Sequence, residues 1–147
     1  MFTHILIPID GSEFSDLAIA AGVRFARSIG ARITGFIAEP ELTVPNLPGF
    51  VGREAGADGG PAIKPRLHAQ SALDRIAAAA AGAGVSFAID YVAHDDAAGA
   101  IVAAAERHGC DLIVMASRER RGLDRLLHGS ATGDVLSQTK LPVLVLH

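Results

Sequence analysis

Near its beginning the chain reads HILIPIDGS (residues 4–12), an apolar run of strand length that stops at a polar turn, Asp10-Gly11-Ser12. Further runs of strand length lie at residues 32–38, 85–92, 111–115 and 142–146. Most of them are nearly continuous in apolar residues, and strands of that kind are covered on both faces, as in parallel sheets flanked by helices. These runs therefore predict the strands of a parallel α/β sheet.

Between these runs the apolar residues recur with a helical period, which predicts a helix in each interval. The predicted buried stripes are Ala18, Ala21, Gly22, Phe25 and Ile29; Ala69, Leu73, Ile76 and Ala80; Ala97, Ile101, Ala104 and His108; and Thr132, Val135, Leu136 and Thr139. The alternation of strands and helices predicts a doubly wound parallel sheet with right-handed crossovers and helices on both faces. We interpret residues 1–147 as a single domain.

One segment, residues 39–64, has no sustained period and contains four of the seven prolines of the chain. An insert of this length without regular structure is either a functional lid or a disordered excursion. We interpret it as an irregular, mobile insert.

Composition limits the classes of function. Half of the residues are hydrophobic and the net charge is −3, which argues for a globular protein and against general binding to nucleic acid or membranes. No apolar stretch is long enough to cross a bilayer, and no basic leader precedes residue 4. The single cysteine, Cys110, cannot form an internal disulfide and is interpreted as a small core residue. A reducing, cytoplasmic location is therefore predicted.

In open α/β sheets, ligands bind beyond the carboxyl ends of the strands, where the strand order reverses. Asp10 follows the first predicted strand, and its carboxylate can accept from a ribose hydroxyl or an adenine amino group, or help to hold a metal ion. The alternative is that Asp10 only starts the turn into the first helix, with Ser12 or Ser15 as the helix cap. The position alone leaves both interpretations open.

Gly129-Ser130 precedes the last predicted helix, where unpaired N–H groups and the helix dipole favour a phosphate. Arginines in the preceding loop offer further contacts to phosphate oxygens; they are Arg118, Arg120, Arg121 and Arg125. The alternative is that Ser130 is an N-cap and that the arginines are solvated surface.

Several catalytic patterns are missing from the sequence. The histidines show no metal-ligand spacing, no nucleophile elbow is present, and neither common phosphate-loop motif occurs. The group His94-Asp95-Asp96 is either a polar turn or a small acid/base cluster. A phosphoacceptor receiver domain would need a pair of acids after the first strand, and Asp10 is a single acid. We therefore predict no catalytic residues, no metal site and no enzymatic activity.

The stretches 4–12, 110–117 and 141–145, with Gly122-Leu123, Leu126-Leu127 and Gly129-Ser130, resemble the universal stress protein family. The resemblance implies a five-stranded parallel sheet of order 3-2-1-4-5. Many members of this family bind ATP through a loop of pattern G-x-x-G-x9-G-[S/T]. In this sequence the pattern falls on Ala116, Glu119 and Gly129-Ser130, so both earlier glycines are replaced. A glutamate at the second position restricts φ and can bring negative charge toward a phosphate.

The resemblance also implies the residues of a nucleotide site. Adenine and ribose contacts would come from Pro8, Asp10, Ile37 and Met115. The altered loop adds Ala116 and Glu119, and phosphate contacts would come from Ser117, Gly129, Ser130 and Ala131. The implied cofactor is ATP, with Mg²⁺ when the nucleotide is bound.

The leading hypothesis is a regulatory or binding protein of the stress response, with a degenerate ATP pocket and no efficient turnover. One alternative is a nucleotide-free interaction module, and another is an ATP-hydrolysing or pyrophosphatase-like enzyme whose phosphate loop would be formed by Gly11-Ser12 and Ser15. The apolar strand at residues 142–146 predicts a homodimer, because pairing with a second copy satisfies an open sheet edge and the family often dimerises in this way.

Overall fold

The computed structural model describes residues 1–40, 67–117 and 131–147, and these contain five strands and four helices. In chain order they are β1 His4–Pro8, α1 Glu13–Ile29, β2 Arg32–Glu39, α2 Leu67–Gly82, β3 Phe87–Ala93, α3 Ala97–Arg107, β4 Leu112–Ala116, α4 Ala131–Gln138 and β5 Val143–Leu146. Within these residues, no helix has the length and apolar character needed to span a membrane.

The strands form one parallel sheet of order β3-β2-β1-β4-β5, which confirms the predicted fold class and strand order. In the register, Ile5 of β1 lies beside Ile33 of β2 on one side and Leu112 of β4 on the other. Successive strands move outward from β1 in one direction and then, after α3, in the other. The carboxyl ends of β1 and β4 therefore border the point where the strand order reverses.

The core is divided between the two faces of the sheet. Ile5 and Ile7 of β1 point into a cluster with α1 and α2, whereas Leu6 points into a second cluster with α3 and α4. Because successive strand residues face opposite sides, a strand covered on both sides must be apolar throughout. All three side chains are fully buried, and burial of each stabilises the fold by about 1.5–3 kcal/mol.

The predicted buried stripes need correction on two helices. The stripe of α2 is confirmed, since every predicted residue is buried. On α1, Ala18 and Gly22 are buried as predicted, but Ile29 is 41% exposed, and the buried face also includes Ile19, Val23 and Ala26. Ile29 occupies the last turn of α1, and the left-handed Gly30 ends the helix directly after it. On α4, Leu136 is 47% exposed beside the buried Val135.

The expectation for residues 39–64 is tested only at its first two positions. Glu39 is the last residue of β2 and is buried, so the regular structure extends further than predicted. Its backbone carbonyl accepts from the N–H of His94 at 2.7 Å, which continues the pairing of β2 with β3. Residues 41–66 lie outside the described part of the chain.

Candidate functional site

A cavity of about 460 Å³ opens at the carboxyl ends of β1 and β4. It lies where the strand order reverses, which is the position that the rule for open α/β sheets predicts. The lining residues are Pro8, Ile9, Asp10, Phe14, Ser15, Ala18, Ala38, Ala97, Ile101, Met115, Ala116, Ser117, Ala131 and Thr132. Its volume lies in the range typical of small-molecule sites.

Many of the predicted site residues meet in this cavity. They are Pro8, Asp10, Met115, Ala116, Ser117 and Ala131. Ile37 is not among the lining residues, because its side chain packs in the core cluster with α1 and α2, and its neighbour Ala38 lines the cavity instead. Glu119, Gly129 and Ser130 lie outside the described residues, as do the four arginines of the preceding loop.

Asp10 is held in a tight turn at the end of β1. Its Oδ1 accepts from the backbone N–H of Ser12 at 2.9 Å and from both serine hydroxyls, that of Ser12 at 2.5 Å and that of Ser15 at 2.9 Å. The hydroxyl oxygen of Ser15 in turn accepts from the N–H groups of Asp10 and Gly11 at 3.0 and 3.2 Å. The carboxylate is therefore fixed in orientation before any ligand arrives.

The same hydrogen bonds correct the capping prediction. Ser12 occupies the N-cap position of α1, but its side chain makes no capping hydrogen bond. Its hydroxyl donates to the Asp10 carboxylate instead of capping the N–H groups in the first turn of α1. Asp10 thus starts the turn, as one interpretation held, and also lines the cavity, as the other required.

The remaining walls are mainly apolar and are built from small residues. Met115 and Ile101 belong to the core cluster with α3 and α4, and the cavity reaches their exposed atoms. Alanines at the first turns of α3 and α4, Ala97 and Ala131, leave space that a larger side chain would fill. Polar groups come from Ser117, which is buried, and from Thr132 in the first turn of α4. Apolar walls with a few fixed polar groups are typical of small-molecule sites.

Sequence reasoning missed the residues contributed by helix starts. These are Phe14 and Ala18 of α1, Ala97 and Ile101 of α3, and Thr132 of α4, together with Ile9 and Ala38; Ser15 was considered only as a helix cap and for the enzyme alternative. Helices α1 and α4 follow β1 and β4, whose carboxyl ends line the cavity, and α3 follows β3. The first two turns after each strand were therefore the signal that could have identified them.

Two residues of α2 brace the Asp10 turn from outside the cavity. Arg75 pairs with Asp16 at 2.5 Å and reaches the carbonyl of Gly11 at 3.5 Å. His68 lies so close to Gly11 that a Cβ added there would meet its Cδ2 at 3.3 Å. Gly11 has a φ of 81°, a conformation that favours glycine. Both the positive φ and the nearby His68 ring therefore disfavour any side chain at position 11.

His68 also contacts a buried carboxylate at the end of β2. Its Nε2 lies 2.8 Å from Oε1 of Glu39, and the hydroxyl of Tyr91 donates to Oε2 at 3.1 Å. A buried carboxylate needs such partners, because its desolvation is otherwise costly. The contact joins α2 to the sheet beside the Asp10 turn.

Two other groups that the sequence singled out, His94-Asp95-Asp96 and Cys110, have structural roles. Asp96 caps α3 by accepting from the N–H of Gly99 at 2.9 Å, and His94 accepts at Nδ1 from the N–H of Asp96, so this group forms a polar turn. Burial raises the pKa of the Cys110 thiol to about 11, which keeps it unreactive in the core. Across residues 1–40, 67–117 and 131–147, no cluster of three or more His, Cys, Asp or Glu side chains is placed to hold a metal ion.

The chain matches the model of the universal stress protein family over residues 1–147. It is 30% identical to the universal stress protein MJ0531 of Methanocaldococcus jannaschii over 148 residues, covering 99% of this chain and 82% of that protein.

Solved structures give the same result for the fold. A universal stress protein in complex with cAMP superposes with a TM-score of 0.71 at 18% identity, covering 99% of this chain and 97% of the other. A universal stress protein from Archaeoglobus fulgidus in complex with dAMP gives 0.69 at 16% identity, with coverage of 99% and 98%. With its whole length matched by the family model, this chain belongs to the universal stress protein family.

Proposed function

We propose that this protein binds an adenine nucleotide in the cavity between β1 and β4 and acts in the stress response through binding rather than turnover. The observation that carries the proposal is the cavity itself, in which apolar walls face a carboxylate that three hydrogen bonds already hold in place. The two family structures with cAMP and dAMP support adenine as the base.

The lining residues divide into two roles in this proposal. The base would pack against Met115 and Ala38, and the ribose hydroxyls would donate to Asp10. Ala38 would contact the base in place of Ile37, because the Ile37 side chain is buried in the core. Ser117 and Ala131, at the end of β4 and the start of α4, would face the first phosphate.

The proposal extends to ATP accompanied by Mg²⁺. Glu119, Gly129 and Ser130 would contact the outer phosphates, and the sequence pattern is the basis for including them. Because Glu119 replaces a glycine of the family loop, we expect nucleotide affinity to depend on the charge at this position. A cytoplasmic location is part of the same proposal, supported by a single cysteine that is unpaired and buried.

Calorimetric titration with Mg-ATP and with AMP tests the binding. We expect a Kd on the order of 10 µM for the parent. Asp10→Asn keeps an oxygen for Ser12 and Ser15 but removes the charge that accepts from the ribose. It should weaken binding about tenfold or more, as expected for a hydrogen bond to a charged group. Asp74→Asn, an exposed residue of α2 outside the cavity, is the matched control and should bind as the parent does.

Two outcomes of this experiment would contradict the proposal. No binding by the parent or by Glu119→Gly would favour the nucleotide-free interaction module. Steady release of AMP and pyrophosphate from ATP, abolished in Asp10→Asn, would instead favour the enzyme.

The homodimer is supported by a separate observation. Among the strands that the structure describes, β5 pairs only with β4 and lies at the edge of the sheet, and its Leu144 is 38% exposed. Pairing of β5 with the same strand of a second copy would satisfy the open edge and cover this side chain. We expect a dimeric mass by light scattering at micromolar concentration, and a monomeric mass for Leu144→Lys. A monomeric parent would refute this part of the proposal.

A further inference from the structure

One side of α2 lies against the turn that follows β1. His68, Ala72 and Arg75 occupy positions i, i+4 and i+7 of this helix and therefore share one face of it. A Cβ added at Gly11 would stand 3.3 Å from Cδ2 of His68 and 3.9 Å from Cβ of Ala72. The guanidinium of Arg75 lies 3.5 Å from the carbonyl oxygen of Gly11. The turn that carries Asp10 is therefore packed against α2 as well as joined to β1.

The imidazole ring of His68 bridges the ends of two neighbouring strands. Its Cδ2 approaches Gly11 after β1, and its Nε2 lies 2.8 Å from Oε1 of Glu39, the last residue of β2. These two ring atoms are bonded to each other, so a single edge of the ring makes both contacts. The residues that precede Gly11 and Glu39 are Asp10 and Ala38, and both line the nucleotide cavity. His68 thus connects the two strand ends that would hold the ribose and the base.

The two partners of this contact differ in exposure. The side chain of Glu39 is only 6% exposed, and the hydroxyl of Tyr91 donates to its Oε2 at 3.1 Å. The side chain of His68 is 60% exposed, so its ring exchanges protons with water directly. A hydrogen bond between two charged groups is about twice as strong as one between neutral groups. Protonation of His68 therefore strengthens its contact with Glu39.

The charged and titratable groups around this contact come from each neighbouring element in the described part of the chain. They are Glu39 from β2, Tyr91 from β3, Asp10 from the turn, Asp16 from α1 and Arg75 from α2. Arg75 is paired with Asp16 at 2.5 Å. Beside carboxylates, tyrosine and arginine, histidine is the residue type whose charge ordinarily changes between about pH 5 and 8. In that range the charge of the cluster responds to pH through His68.

We propose that His68 is a positioning residue of the nucleotide site, and that its protonated form tightens nucleotide binding by holding Gly11 to Glu39. This inference rests on the proposed nucleotide function. The physical reason is preorganisation, because a turn and a strand end that are already held in place lose less freedom when a ligand binds. Affinity is therefore highest at low pH and falls as the ring loses its proton. Solvent screens the exposed ring, which limits the effect to about threefold.

Calorimetric titration with adenosine at about pH 5.5 and about pH 7.5 tests the proposal. Adenosine is the probe because the phosphate of AMP itself changes charge near pH 6. We expect the Kd of the parent to be about threefold lower at the lower pH. His68→Gln and Glu39→Gln each remove one charge of the pair and keep a polar side chain of similar size. Both variants should bind at either pH about as the parent does at the higher pH.

The matched control is His94→Gln. The backbone N–H of His94 also lies beside Glu39, since it donates to the Glu39 carbonyl at 2.7 Å, but its ring accepts from the N–H of Asp96. This variant should therefore keep the pH dependence of the parent.

A second measurement needs no ligand. The N–H groups of Asp10 and Gly11 donate to the hydroxyl oxygen of Ser15, and their exchange with solvent, followed by NMR, reports opening of the turn. At about pH 5.5 both amides should exchange about threefold faster in His68→Gln than in the parent. The difference should shrink at about pH 7.5. Comparison of the two proteins at one pH cancels the intrinsic pH dependence of amide exchange.

Three results would overturn the proposal. These are an equal Kd of the parent at both pH values, a pH dependence that persists in His68→Gln, and equal exchange of the Asp10 and Gly11 amides in parent and variant at the lower pH. Failure of the nucleotide function has a different signature. Absence of saturable adenosine binding by the parent, with the difference in amide exchange intact, would refute the nucleotide function and confirm the coupling of His68 to the turn.

Discussion

The packing of α1 on β1 gives a prediction that can be worked out in numbers. Gly22 lies in the interior of α1, and a Cβ added there would stand 2.5 Å from Cδ1 and 3.3 Å from Cγ1 of Ile7. Carbon atoms in contact prefer about 3.5–4.0 Å, so the overlap with Cδ1 is roughly 1 Å. Ile7 is fully buried, which leaves its terminal methyl no open space to enter. Gly22→Ala must therefore push the Ile7 side chain out of its present position in the core.

The expected magnitude is the difference between two effects. Overpacking a core costs about 1–3 kcal/mol, whereas alanine gains about 0.5–1 kcal/mol over glycine in a helix interior. The free energy of unfolding should therefore fall by about 0.5–2 kcal/mol in Gly22→Ala. Ile7→Val removes only the overlapping Cδ1 and should cost about 0.5–1.5 kcal/mol by itself. The loss of unfolding free energy in the double variant should be smaller than the sum of the two single losses by about 1–2 kcal/mol.

Urea unfolding monitored by circular dichroism measures all four members of this cycle. The control is Gly82→Ala at the end of α2, where an added Cβ meets no atom within 4 Å. It should be neutral or slightly stabilising. The reasoning fails when Gly22→Ala is as stable as Gly82→Ala, or when the double variant equals the sum of the single variants.

Three further predictions concern single groups. Burial acts to raise the pKa of Asp90, but the hydrogen bonds from His108 and Arg107 outweigh burial and lower that pKa. The ionised Asp90 therefore stabilises the fold above about pH 4, and this contribution is lost as the pH falls through the pKa of Asp90 in the folded state. Urea midpoints between about pH 3 and pH 7 should show that loss in the parent and less of it in Asp90→Asn. Asp96→Ala removes the cap on Gly99 and should lower the free energy of unfolding by about 1 kcal/mol, measured in urea. With a thiol pKa of about 11, Cys110 should react with a thiol reagent near pH 8 only after unfolding, and rapid reaction of the native protein would contradict its burial.

The fold was predictable because its main signals are local. Each strand is a short apolar run, each helix is a stripe of the right period, and their alternation determines a parallel sheet. The strand order followed from the family resemblance rather than from periodicity. The error at Ile29 arose because a helical stripe can be drawn along neighbouring residues, and only packing against β1 and β4 decides which face is buried.

The candidate site was predictable only in part, for two physical reasons. Residues directly after β1 and β4 were found because the carboxyl edge of a parallel sheet is a known ligand position. The contact of His68 with Glu39 joins residues far apart in sequence, and no local pattern marks it. The alternation of side chains along β2 then decided that Ala38, and not Ile37, lines the cavity.

The central claim is that the cavity between β1 and β4 holds an adenine nucleotide. The most direct test is a titration of the isotope-labelled protein with AMP and with Mg-ATP, followed through its assigned amide resonances. We expect saturable shifts that concentrate at Asp10, Ala38 and Ser117 and leave Ser86, at the opposite edge of the sheet, unchanged. An absence of saturable shifts at these three residues, or shifts confined to other parts of the chain, would contradict the claim.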